Sequence, residues 1–273
     1  MRNKRARPAE RCEGTGVSEG LYVYCVIGTG EARNFGPIGV GGRGDAVTTI
    51  AYTDLSAVVS SLPMDKYVVA HETMLCHERV LEAVMADHTV LPVRFYTIAP
   101  NAEEIRGLLR TRYAEFKRLL RELDNKVELG IKALWKNMNQ VLSELVQNDS
   151  KEQLSGWEPN PQPGNATAGL DKRLRPALDE ERTRTSEVLL APLRPFAFDV
   201  RLNRTYGDDM IMNAAFLVDR SREREFDARV GQLSAQHTDT IEFKYVGPAP
   251  PYSFVNIVIK EEVSPGAPPR GRD

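Results

Sequence analysis

The sequence predicts an α+β protein of two domains: an N-terminal mixed α/β unit over residues 20–125, and a C-terminal ferredoxin-like (βαββαβ) domain with an extra helical insertion over residues 126–262. Three observations carry this expectation. The chain has 273 residues, enough for about two domains. Its hydrophobic pattern switches repeatedly between short apolar or alternating runs and the three-to-four spacing of amphipathic helices. The second half, stripped of its loops, runs strand–helix–strand–strand–helix–strand, the order of a split βαβ unit.

Leu21 to Ile27 is a continuous apolar run bounded by Gly28 and Gly30, which reads as a buried strand. A glycine-rich loop follows to Gly44. Ala46–Tyr52 and Leu55–Ser61 are β-rich runs divided by Thr53-Asp54, a hairpin signature. From Val69 to Asp87 the spacing of Met74, Leu75, Leu81, Val84 and Met85 is helical, and Thr89–Phe95 is again strand-like. Asn101, with Glu104 three residues on, opens a helix whose apolar stripe runs through Ile105, Leu109, Phe116, Leu120 and Leu123. In the second half Val127, Leu129 and Ile131 alternate as in a strand, and helical stretches follow over Asn137–Leu154 and Leu170–Leu190. Between these two, Ser155–Gly169 carries the prolines and glycines of an exposed, flexible connection. Phe196–Leu202 and Met210–Val218 read as strands, Ser221 as the cap of a helix bearing Phe226, Val230 and Leu233, and Thr240–Val246 and Tyr252–Ile259 as further extended segments.

Composition narrows the function. Apolar residues make up 41% and charged residues 27% of the chain, typical of a globular protein, and the net charge of −2 gives no general attraction to nucleic acid or to an anionic membrane. No apolar run approaches the roughly 18 residues that span a bilayer. Residues 1–19 are basic and polar without an apolar stretch, so they are expected to form a disordered arm rather than a secretory signal; residues 263–273, rich in Pro, Gly and Arg, are expected to be a disordered tail. Three cysteines, Cys12, Cys25 and Cys76, without CxxC spacing, fit a reducing cytoplasm, where the sequon at Asn165 is accidental.

Two motifs imitate chemistry. Gly39-Val40-Gly41-Gly42-Arg43-Gly44 is a literal GxGxxG, but a β-rich run follows it where a dinucleotide site needs a helix N-terminus to meet the pyrophosphate. His71, Glu72, Cys76, His77, Glu78 and His88 cluster in sequence, yet His71 and His77 are six apart, not the four that place two histidines on one helix face. His77 and Glu78 are instead expected to make helix-surface or interdomain hydrogen bonds. The Arg/Glu-dense runs read as solvated helix faces with i,i+4 pairs. The expectation is therefore no catalytic, cofactor-binding or metal-binding residue, no cofactor and no small-molecule substrate.

Two segments are less generic. His77-Glu78-Arg79-Val80 leads through Ala86 to Val90-Leu91-Pro92-Val93-Arg94-Phe95, a helix running into a strand that holds a proline. Tyr245 to Val255 is a strand interrupted by Pro248, Pro250 and Pro251 and then resumed. With Leu21–Tyr24, Val127–Lys132 and Asn213–Val218, in this order, they resemble the gas vesicle protein F/L family over about residues 20–260. The chain departs from the family's usual pattern at Tyr96, where glycine normally follows the Arg-Phe pair, and at Ala249, where tryptophan normally separates the prolines. The resemblance implies a non-enzymatic accessory protein of gas vesicle assembly, serving buoyancy, with the small hydrophobic wall protein and other accessory proteins as partners. It points to Leu91, Pro92, Arg94, Phe95, Gly247, Pro248, Pro250, Pro251 and Tyr252 as motif residues that contact a partner. The competing reading is a ligand-binding regulator or enzyme on a ferredoxin-like scaffold. Because Pro248, Pro250 and Pro251 remove three backbone donors, Gly247–Tyr252 is expected to lie outside any central ladder, as a stiff corner.

Overall fold

A computed structural model describes residues 19–63, 71–148, 174–255 and 257. The tail, the Ser155–Gly169 connection and residues 1–18 of the expected basic arm lie outside these residues, whereas Glu19, expected in the arm, opens the first strand. Among the described residues, two antiparallel sheets and six α-helices form a mixed α/β architecture.

The first sheet is built on β1 (Glu19–Ile27), flanked by β4 (Leu55–Pro63) on one side and by β5 (Val90–Pro92) and β6 (Ile98–Ala99) on the other. β3 (Val47–Tyr52) forms the expected hairpin with β4, turning at Thr53 with φ 52°, and β2 (Asn34–Gly36) closes that edge. A bulge between Val23 and Cys25 puts an extra residue into β1. Tyr22, Tyr24, Cys25 and Ile27 then pack beneath α1 (His71–Met85), while Val23 and Val26 face the opposite core. Burial on both faces explains why this strand reads as an unbroken apolar run.

That opposite core is covered by α2 (Ala102–Thr111) and α3 (Tyr113–Glu122). The apolar stripe predicts one helix here, but the chain breaks at Arg112, whose φ of −104° and ψ of 19° leave the helical region. The stripe continues across the break because Ile105, Leu109, Phe116 and Leu120 still face one core. Asn101 caps α2 as expected, accepting the Glu104 N–H at 3.0 Å.

The second sheet has the order β10-β7-β9-β8, from β7 (Lys126–Trp135), β8 (Asp199–Leu202), β9 (Met210–Asp219) and β10 (Ile241–Ala249). Its inward residues Val127, Leu129, Ile131, Ala214 and Phe216 pack under α4 (Met138–Asn148), α5 (Leu174–Leu190) and α6 (Glu223–Gln236). Two expectations need correction here. Asp219, not Ser221, accepts the capping N–H, because a 3-10 turn at Arg220–Arg222 precedes α6. The arginine-rich faces are paired mainly at i,i+3, as in Asp179–Arg182 and Glu181–Arg184, and Arg182 also donates to the carbonyls of Asp208 and Met210.

The sheets are joined by the end of the chain. β10 is an edge strand that continues past Val246, through a bulge that absorbs Gly247 and Pro248, to Ala249. A Cβ on Gly247, at φ 139°, would come within 2.8 Å of Leu129 Cδ2 and 2.9 Å of the Glu128 carbonyl oxygen. The chain then crosses the face of the second sheet that bears no helices: Ser253 donates its N–H and hydroxyl to Glu128 at 2.7 and 2.8 Å. Beyond it Val255 and Ile257 enter the core of the first sheet, where Ile257 bridges Val93 in parallel. Leu217 of β9, 3% exposed, belongs to that same core. Leu217→Ala should therefore cost about 3 kcal/mol and loosen both units. Hydrogen exchange at Val23 and Ile131 should accelerate together; unchanged protection at Val23 would show that the cores do not depend on each other.

Candidate interaction site

The two motif segments, far apart in sequence, meet at this seam. Leu91 and Pro92 pair with Val26 and Cys25 of β1 and are buried. The expected strand Thr89–Phe95 ends early, at Pro92, because the chain turns. Val93 N–H donates to the Tyr24 carbonyl at 3.0 Å, Arg94 N–H to Ile257 at 3.4 Å, and the Thr97 hydroxyl closes the loop on the Arg94 carbonyl at 2.5 Å. Tyr96 sits at φ 67°, the left-handed region that favours glycine, which gives a physical reason for the residue usual at this place in the family. Arg94 and Tyr96 project outwards, and the Phe95 ring meets His77 at 5.5 Å.

The other segment divides in the same way. Pro250 and Pro251 are buried, Gly247, Pro248 and Tyr252 exposed. Pro251 lines a cleft of about 230 Å³ with Met85, His88, Asp124, Lys126 and Arg220. Arg220 spans it, donating to the last-turn carbonyl of Met85 at 2.8 Å. Tyr252 keeps 40% of its surface exposed. Burial, and then the nearby Glu78, raises its pKa, with Glu128 and Glu82 adding to the effect. The same setting explains Glu128, whose pKa is raised by burial and only partly restored by the two hydrogen bonds from Ser253.

The expectation that His77 hydrogen-bonds at the helix surface is wrong. His77 is 2% exposed, beneath α1, in ring contact with Tyr22, Tyr24 and Phe95. The Tyr22 oxygen accepts the Tyr96 N–H at 3.1 Å and lies 3.0 Å from His77 Nδ1, while Nε2 finds no partner among the described residues. The ring is kept neutral: burial pushes its pKa down to about 4. Glu78, the next residue, is exposed, and His71 and Glu72 are exposed too, so the helix separates them from His77. Gly39–Gly44 connects β2 to β3 and opens no helix; Gly39 N–H donates to the Asp45 carbonyl at 3.0 Å, which closes the loop on itself.

Sequence periodicity misses the most exposed apolar groups of α1. Met74 and Leu75 fit the helical spacing of core residues but are 45% and 48% exposed. They stand one turn before Glu78, on the side of the helix that Tyr252 approaches. Thr73 and His77 take the inward positions instead. The polar types at those two places hide the true inward face from a reading by hydrophobicity.

Comparison with known proteins shows the family and the fold. The family model described as "Gas vesicle synthesis protein GvpL/GvpF" matches residues 20–256. Gas vesicle protein F2 of Halobacterium salinarum is 29% identical over 89% of this chain and 94% of its own length. Gas vesicle protein F of a Streptomyces species is 31% identical over 80% and 93%. Crystal structures of GvpF from Microcystis aeruginosa and Anabaena superpose with TM-scores of 0.74 and 0.72, each at 23% identity, covering 87% and 89% of this chain and 99% and 100% of theirs.

The buried neutral His77 sets a pH dependence. Its folded pKa lies below the unfolded value of about 6.5, so its contribution is fully present above that value and is lost as pH falls towards 4. Stability should drop by about 3 kcal/mol over this interval from His77 alone. His77→Phe should flatten the slope in urea titrations; an unchanged slope would place its cause elsewhere.

Proposed function

This chain belongs to the gas vesicle synthesis protein GvpL/GvpF family, and from that premise we propose that it is an accessory or minor structural protein of gas vesicle assembly that binds the small hydrophobic wall protein and other accessory proteins. The observation that carries the reading is the exposed apolar surface of α1 and of the proline segment. Met74 and Leu75 of α1 expose large apolar surface, and Tyr252, within reach of the Glu78 charge on the same helix, is exposed like the motif residues Arg94 and Pro248. A wall protein that is apolar enough to line a gas space must be shielded before it polymerises, and a rigid apolar surface bordered by charge suits that task. Among the motif residues, Leu91, Pro92, Pro250 and Pro251 hold the seam together from within. Arg94, Phe95, Gly247, Pro248 and Tyr252 lie where a partner can reach them or their neighbours.

The same reading places the work in the cytoplasm, at the growing vesicle, and involves neither nucleic acid nor a small-molecule substrate. Among the described residues no helix is long and apolar enough to cross a membrane. We read residues 20–125 and 126–262 as its two domains and the second as ferredoxin-like, with Val255 and Ile257 of its last stretch packed into the core of the first. The strand order β10-β7-β9-β8, all antiparallel with helices on one face, supports that assignment.

The double variant Met74→Asp, Leu75→Asp tests this surface. Both side chains are exposed, so stability should stay within about 1 kcal/mol of the parent, while capture of the wall protein in a pull-down should be lost. Full capture by a stable double variant would remove α1 from the binding surface.

A further inference from the structure

We infer that the free edge of β8 pairs with the same edge of a second copy of this chain, joining two four-stranded sheets across a two-fold axis at Val200. Among the described residues β8 lies at the end of its sheet and pairs only with β9. The Asn203 N–H donates to the Asn213 carbonyl at 2.7 Å, which points the backbone of Asn203 and Arg201 towards β9 and that of Val200 outwards. The Val200 N–H accordingly goes to its own Asp199 carboxylate at 2.8 Å instead of to the ladder. The second oxygen of that carboxylate accepts from Arg201 Nε at 3.1 Å. Phe198 and Leu202, on either side, are 72% and 59% exposed.

The order of side chains is self-complementary. Phe198-Asp199-Val200-Arg201-Leu202 reads apolar, acidic, apolar, basic, apolar; run antiparallel, the second copy presents the reverse. With Val200 at the centre, Asp199 of each copy stands opposite Arg201 of the other; Phe198 lies outside this pairing, because its N–H donates to the Leu217 carbonyl of β9 at 2.7 Å. Directly opposed residues of antiparallel strands share a face and sit close enough to interact. Val200 exchanges backbone hydrogen bonds with its counterpart. The Asp199 carboxylate then turns from its own backbone to the facing guanidinium, so each polar group released within a chain regains a partner across the axis. The charges that would repel an arbitrary strand thus admit a copy in one register, an isologous contact that closes at two. The opposite edge, β10, is blunted by its bulge and by Pro248.

Sedimentation of the full chain over a concentration series tests this. The parent should pass from monomer to dimer. Asp199→Arg and Arg201→Asp should each be monomeric alone, since like charges then face each other, and should form a heterodimer when mixed in equal amounts. That rescue distinguishes pairing between chains from the Asp199–Arg201 contact within one. Circular dichroism checks that each variant folds. If a charge variant does not fold, Val200→Pro, which removes only the outward N–H, should also be monomeric. A parent that stays monomeric throughout, single variants or a Val200→Pro that dimerise like the parent, or a mixture that stays monomeric beside a dimeric parent would each overturn the inference. So would a monomeric parent whose β8 edge takes up an extended segment of another protein.

Discussion

The Glu128 carboxylate anchors the segment that ties the two sheets together. It sits on the helix-free face of the second sheet, and both of its oxygens are taken by Ser253, from the backbone and from the hydroxyl. That fork fixes the path of the last described residues, so that Val255 and Ile257 reach the first sheet instead of continuing along the second. The half-buried carboxylate pays for its burial, as its raised pKa records. In return, the apolar residues beyond Ser253 and the side chain of Leu217 close a core that neither sheet completes alone. Gly247 serves the same path, since any side chain there would strike Leu129 and Glu128.

Much of this was legible in the sequence because it is local. The Thr53-Asp54 turn, the Asn101 cap, the alternation of Val127, Leu129 and Ile131, and the exclusion of the proline segment from a central ladder all follow from residues close together in the chain. What was not legible depends on partners far away. Tyr252–Ile259 reads as an extended end, and nothing in its own pattern says that Val255 and Ile257 belong to the first core. The break at Arg112 is invisible because the apolar stripe keeps its phase across it. His77 looked like a surface residue because imidazole is polar, whereas three aromatic rings supply it with an apolar site.

The motif residues gain a division of labour from the structure. The leucine and prolines that are buried make the seam, which accounts for their type whatever the partner. The exposed members lie on its outer side; Met74 and Leu75 of α1, exposed as well, are residues that the family resemblance did not single out. The edge of β8 is at the far side of the second sheet from β10.

The route taken by Val255 and Ile257 bears on how the protein is made. A ribosome releases the first sheet long before it has synthesised the residues that cap that sheet's core. Until the last stretch emerges, Val93 lacks its bridging neighbour, and Leu217 has to wait for β9. The nascent chain therefore carries an unfinished apolar surface until those residues have been made. The first sheet reaches its final form only after Val255 and Ile257 have been made, and a message truncated before Ser253 would yield a product with that surface left open.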